Sequence, residues 1–226
     1  MRNAVIEING EQVEAVLAIP ASGSGPAVIV IQEWWGLVPH IQEVVARLAD
    51  EGFVALAVDH YRGAETTEPD EAMKLMMAVD LPRVSADLAG AAAWLRGQDF
   101  VTSEGIGVVG FCMGGGLALL GPAVSEDIRC AVAFYPAMPW PDYAPDWSAY
   151  AGKAALVHKA VSDEESAGPA IAASAAAIAA HHGTVRLEEY PDSVHAFFND
   201  ARPEVYQQAN ADRAWRTTVE FLQQHL

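Results

Sequence analysis

The sequence predicts an α/β fold: a mostly parallel central sheet with helices on both faces and an antiparallel hairpin at the N-terminal edge. Three observations carry this expectation. Short apolar runs such as Ala27-Val28-Ile29-Val30-Ile31 and Phe53-Val54-Ala55-Leu56-Ala57-Val58 have the composition of strands buried on both faces. Segments with apolar residues at helical spacing lie between such runs. The two kinds alternate along the chain with no internal repeat and no linker, so a single domain over residues 1–226 is expected.

Taken in order, Val5 to Ile8 and Val13 to Ile19 flank Asn9-Gly10. That pair supplies the positive φ angles of a tight hairpin turn. Pro20 to Pro26 reads as a loop, and residues 27–31 as the first buried strand. Pro39 to Asp50 follows as a helix with Ile41, Val44, Val45 and Leu48 on one face, stopped at Gly52. The second buried strand covers 53–58. Pro69 to Val79 and Pro82 to Leu95 read as helices, Ile106 to Val109 as a strand, and Gly114 to Leu120 as the opening of a helix. Strands are expected at Arg129 to Phe134, Ala154 to Val157 and Val185 to Tyr190. The Ala-rich segment Gly168 to Ala180 is expected as a helix. A last helix is expected over Pro203 to Gln224, with Val205, Ala209, Trp215, Val219 and Leu222 toward the core.

Composition narrows the function classes. At 52% hydrophobic and 19% charged residues the chain is globular rather than disordered. Thirteen Lys and Arg against thirty Asp and Glu give a formal charge of −17, a field that repels nucleic acid and anionic membrane. No apolar run has a membrane-spanning length, and Met1-Arg2-Asn3-Ala4 lacks the apolar stretch of a signal peptide. A cytoplasmic location is expected, as a monomer or homodimer. The two cysteines, Cys112 and Cys130, are expected to be reduced thiols, with Cys130 buried in a strand and inert.

The chemistry concentrates at residues 107–116, G-V-V-G-F-C-M-G-G-G. Gly105-Ile106-Gly107-Val108-Val109-Gly110 fits G-x-G-x-x-G, but it lies inside a strand rather than in the turn after one, so a dinucleotide site is not expected. Gly110-Phe111-Cys112-Met113-Gly114 has the spacing of the G-x-S-x-G nucleophile elbow, with Cys in place of Ser. Such a turn is strained and crowded, and larger residues two positions either side of the nucleophile would clash. The helix that follows points its N-terminus at the thiol, favouring a thiolate and an adjacent oxyanion, with the Met113 amide as one donor.

In chain order the acid and then the histidine follow the nucleophile. Asp163 lies just beyond the strand 154–157, with Glu164 and Glu165 as rivals. His195 lies on the loop after the strand 185–190. His40, His60, His158 and His225 have no comparable setting. No pair of histidines shows metal-ligand spacing with a nearby acid or thiol, so no metal site is expected.

With these residues in place the chain resembles the dienelactone hydrolase (carboxymethylenebutenolidase) family of α/β-hydrolases over nearly its whole length. The carriers are Gln32-Glu33-Trp34-Trp35-Gly36, Asp59-His60-Tyr61-Arg62-Gly63, Gly110-Phe111-Cys112-Met113-Gly114-Gly115, Asp163, and His195-Ala196-Phe197-Phe198. The resemblance implies an ester or lactone hydrolase that needs no cofactor. Cys112 would be the nucleophile, His195 the base, and Asp163 the group that orients the imidazole. Glu33 would contact the resting thiol until substrate displaces it. The amides of Trp34 and Met113 would form the oxyanion hole. Two arginines with which the family holds a substrate carboxylate are absent: their positions fall on Pro69 and Asn199. Arg62, Lys159 and Arg202 are candidate replacements. Trp35, Arg62, Met76, Phe197 and Asn199 are expected around the substrate. The rival expectation is a non-catalytic or redox-sensing member of the same fold.

Overall fold

The computed structural model describes Arg2–Leu226. Eight strands form one sheet: β1 (Arg2–Ile8), β2 (Glu11–Ala18), β3 (Gly25–Ile31), β4 (Val54–Val58), β5 (Val101–Phe111), β6 (Ile128–Phe134), β7 (Ala154–Ala160) and β8 (Thr184–Tyr190). Their spatial order is β1-β2-β4-β3-β5-β6-β7-β8. The hairpin β1–β2 pairs antiparallel and β2 runs antiparallel to β4, while β4 through β8 are parallel. The hairpin turn places Asn9 at φ 52° and Gly10 at φ 83°, as Asn-Gly predicts.

The middle stretches of the interior strands are apolar because both faces are covered there. Val28, Val30, Ala55, Ala57, Val109 and Val132 face α1 (Pro39–Asp50) and α7 (Gln208–His225). Ala27, Ile29, Val54, Leu56 and Val108 share a core with Met76 of α2 (Pro69–Met77) and face α3 (Leu81–Arg96) and α4 (Met113–Val124). Ala131, Ala133, Ala155 and Val157 meet Leu119 of α4 and α6 (Gly168–Ala180). The period-2 alternation of each strand thus divides its side chains between two cores. Among the described residues no helix is long and apolar enough to cross a membrane.

Some boundaries differ from the sequence expectation. β5 begins at Val101 rather than near Ile106, because Gly25 and Val101 already pair at its start. The last helix begins at Gln208, not Pro203. Residues 199–207 instead form successive turns, closed by Arg202 N to Asn199 O (3.1 Å) and by Gln207 N to Phe197 O (3.0 Å). Ala209 is consequently exposed, and Ala211 and Ala214 take the core positions. Two short elements were not anticipated: a 3-10 turn at Trp147–Tyr150 and a one-turn helix, α5 (Asp163–Ser166).

Candidate active site

The loops at the C-terminal ends of β3, β5, β6, β7 and β8 meet above the sheet, the edge where parallel α/β sheets place their ligands. Each contributes one side chain: Glu33, Cys112, Tyr135, Asp163 and His195 in that order.

Cys112 forms the corner between β5 and α4 at φ 54°, ψ −117°, a conformation that a residue with a Cβ rarely adopts. The corner is fixed from both sides. The Cys112 amide donates to Phe134 O (3.0 Å), and its carbonyl accepts from Gly115 (2.9 Å) and Ala137 (2.9 Å). A Cβ at Gly110 would overlap the Gly114 carbonyl, and one at Gly114 would run into the carbonyls of Ile31 and Gln32. The glycines therefore let the elbow turn on itself and let α4 rest on the end of β3, the strand that carries Glu33. Met113 stands first in α4, so its amide has no partner within the helix.

Asp163 is buried at the start of α5. Its Oδ2 accepts from the Ala160 amide (3.0 Å) and its Oδ1 lies 2.7 Å from His195 Nδ1. Glu164, its nearest rival in sequence, is instead exposed and paired with Lys159. The His195 amide donates to Ser162 Oγ (2.7 Å), which fixes the loop below the ring. The imidazole keeps 40% of its side chain open to solvent. Burial of the remainder pulls the His195 pKa down, but the Asp163 hydrogen bond and the neighbouring Cys112 sulfur outweigh it and raise it to about 10. His158, one layer below, behaves oppositely. It is fully buried between Tyr190 Oη (2.9 Å) and Thr218 Oγ1 (3.0 Å), and burial pushes its pKa down to about 3. It is a neutral packing histidine.

Glu33 is 1% exposed. Tyr135 Oη donates to its Oε1 (3.2 Å) and Asn199 Nδ2 donates to its Oε2 (2.8 Å). Both donors are uncharged. Tyr135 is itself buried at φ 37°, with its ring 5.0 Å from that of His195. Ala196, directly after His195, sits at φ 67°. Among the described residues, three of the six non-glycine residues with positive φ thus belong to this site, where strained backbone tends to be kept.

A cavity of about 210 Å³ opens over these groups. Cys112, His195 and Glu33 reach it, Trp34, Trp35 and Met76 form its apolar walls, and Arg202 stands at its side. Other expected pocket residues lie elsewhere. Arg62 is locked by Asp87 (2.8 and 3.0 Å) and Glu11 (3.2 and 3.3 Å) and does not line the cavity. Phe197 is buried behind it against Tyr190 and Tyr135. Asn199 holds Glu33 and lines a neighbouring cavity instead. Lys159 is bound by Glu164 and Glu189. Of the candidate cations, Arg202 is the one at the cavity. Sequence reading missed Tyr135 and Ser162, whose surroundings, Phe134-Tyr135-Pro136 and Val161-Ser162-Asp163, carry no polar pattern that marks them. Among the described residues no group of three or more His, Cys, Asp or Glu comes together as a metal site.

Comparison with known proteins agrees with this architecture. A model of the dienelactone hydrolase family matches residues 13–226. Protein usf of Aquifex pyrophilus is 34% identical across 97% of this chain and 96% of its own. A Bradyrhizobium protein named "Probable 2-oxo-3-(5-oxofuran-2-ylidene)propanoate lactonase" is 32% identical across 98% of this chain and 93% of its own. A crystal structure from Klebsiella pneumoniae described as a "Putative Dienelactone Hydrolase" has a TM-score of 0.87 at 26% identity, covering 99% of this chain and 98% of that one. With a family match over nearly its full length and the sheet and elbow in place, the chain belongs to the dienelactone hydrolase family, carboxylic ester hydrolases of the α/β-hydrolase fold.

Proposed function

We propose that the chain hydrolyses esters or lactones through a Cys112–His195–Asp163 triad and a covalent acyl-thioester on Cys112. The observation that carries this reading is the strained corner that lifts Cys112 into the same cavity as an imidazole held by a buried carboxylate at 2.7 Å.

The Cys112 sulfur attacks the carbonyl carbon, and the amides of Trp34 and Met113 take the oxyanion. Each such donor is worth roughly 3–4 kcal/mol in comparable sites. Collapse breaks the ester C–O bond, and His195, which takes the Cys112 proton as the sulfur attacks, gives that proton to the departing alkoxide. Acylation removes the sulfur charge that helped raise the His195 pKa. The imidazole, still oriented by Asp163, then deprotonates water, which adds to the thioester and expels the thiolate. Glu33 lines the same cavity as Cys112, a buried carboxylate positioned by Tyr135 and Asn199. Its negative charge disfavours a second anion at the sulfur until substrate arrives. A lactone fits the same steps, its leaving alkoxide remaining tethered to the acyl group. No step requires a metal or organic cofactor.

The test is turnover of p-nitrophenyl acetate by the wild type, Cys112→Ala and His195→Ala, with intact-mass analysis of enzyme quenched during turnover. Loss of activity in both variants and a transient acetyl adduct that maps to Cys112 are expected. Equal activity in all three overturns the reading in favour of a non-catalytic protein.

A further inference from the structure

The cavity over Cys112 is small for a site that must bind a whole ester. At about 210 Å³ it falls below the roughly 300–1,000 Å³ of drug-sized ligand sites, and amounts to roughly seven water volumes. A second cavity of about 460 Å³ lies beside it, and Trp35 and Arg202 line both. Its further walls come from three stretches: Val38, Pro39 and His40 on one, Thr66 and Thr67 on a second, Asn199 and Ala201 on the third. Together the two fall inside the range of a small-molecule site.

The partition is slight. Arg202 has about a third of its side chain exposed. It is held by Glu204 (Nε to Oε1, 2.9 Å) and rests 6.0 Å from the centre of the Trp35 ring. Arg202 and Trp35 are the two side chains that the two spaces share. Its charge is already matched by Glu204, which lines the same second cavity, so the junction offers no free cation. The whole chain, at −17, also repels anions.

From this we infer that the second cavity is the subsite for the larger half of the substrate: an uncharged, apolar alkyl or aryl body on the ester, with its reacting carbonyl at Cys112. The inference rests on the hydrolase reading above and adds the substrate class to it.

The experiment measures kcat/KM for two homologous series, p-nitrophenyl acyl esters from acetate to octanoate and alkyl acetates from ethyl to octyl. One series probes an acyl body in the groove and the other an alcohol body. The enzymes are the wild type, Thr67→Trp and Ala201→Trp, with thermal unfolding as the check on folding. Each methylene buried is worth up to roughly fourfold in kcat/KM. In wild type one series is expected to rise at least about tenfold from its shortest to its longest member. The Trp variants, filling the groove from two of its three stretches, are expected to cut that long-to-short ratio toward one. A steep ratio that both folded variants leave intact overturns the subsite. So does Cys112-dependent hydrolysis with flat series, which leaves the hydrolase reading standing. Absence of Cys112-dependent turnover with every ester overturns both.

Discussion

At Glu33 a buried carboxylate is satisfied by two donors without charge, and removing either leaves an acceptor stranded in the core. Asn199→Leu deletes the shorter bond and is expected to cost about 1–3 kcal/mol of stability in urea unfolding, the usual penalty for an orphaned buried acceptor. The combination Glu33→Leu with Asn199→Leu is expected to cost less than the sum of the single changes, because the orphan is then gone. An additive cycle would mean that the two side chains do not depend on each other. His195 supplies a second case. Its pKa rises from the ordinary 6.5 to about 10 on folding, so its contribution to stability is complete below about pH 6.5 and is lost as the pH climbs through 10. Exposure of two-fifths of the side chain keeps that contribution small. Asp163→Asn removes the largest influence that raises the pKa, and the ring is expected to titrate well below 10 by nitrogen NMR. The fall in Tm between pH 7 and 10 should also be shallower than in wild type. An unchanged titration would place the source of the shift elsewhere.

At the scale of elements, the elbow couples two loops of the candidate site through the absence of side chains. Gly114 touches the backbone of Ile31 and Gln32, directly before Glu33, so the start of α4 and the end of β3 share one contact. Gly114→Ala must push these backbones apart. A destabilisation of about 3 kcal/mol or more is expected from overpacking between rigid main chains, with kcat falling even where the variant folds, because Cys112 and Glu33 separate. A variant with wild-type Tm and kcat would show that the two loops yield independently. This contact was half legible in the sequence. Glycines two residues either side of a cysteine, after an apolar strand, state a steric demand that only a tight corner explains, and the buried strands announce themselves by composition. The 199–207 turns were not legible. Pro203 ahead of an amphipathic pattern imitates a helix start, and what keeps the segment out of the helix is tertiary: the Phe197 carbonyl and the Asn199 bond to a residue 166 positions away. Misplacing that segment also hid the position of Arg202 at the cavity. Tyr135 escaped for a related reason. At the end of an apolar strand its ring reads as core, and only its hydroxyl, meeting Glu33 across the sheet edge, shows its place in the site.

For the whole molecule, the charge of −17 surrounds a cavity whose one lining arginine, Arg202, is paired with Glu204. A substrate approaching from solution therefore meets a long-range negative field and, at the site, little local attraction for an anion. The two contributions separate by ionic strength, since the Debye length shrinks from about 30 Å at 0.01 M salt to about 10 Å at 0.1 M. An uncharged ester such as p-nitrophenyl acetate is expected to show kcat/KM nearly independent of salt across that span. The anionic mono-p-nitrophenyl ester of succinic acid is expected to react more slowly at low salt and to gain severalfold as the field is screened. The opposite slope, an anionic ester losing rate as salt is added, would mean that Arg202 leaves Glu204 and captures the carboxylate, making local pairing stronger than the field of the surrounding acids. Repeating the anionic series with Glu204→Gln frees Arg202 from its partner, and the salt dependence is expected to flatten. A flattened profile would assign the response to anionic esters to the Arg202–Glu204 ion pair beside the cavity; an unchanged one would leave it to the field of the surrounding acids.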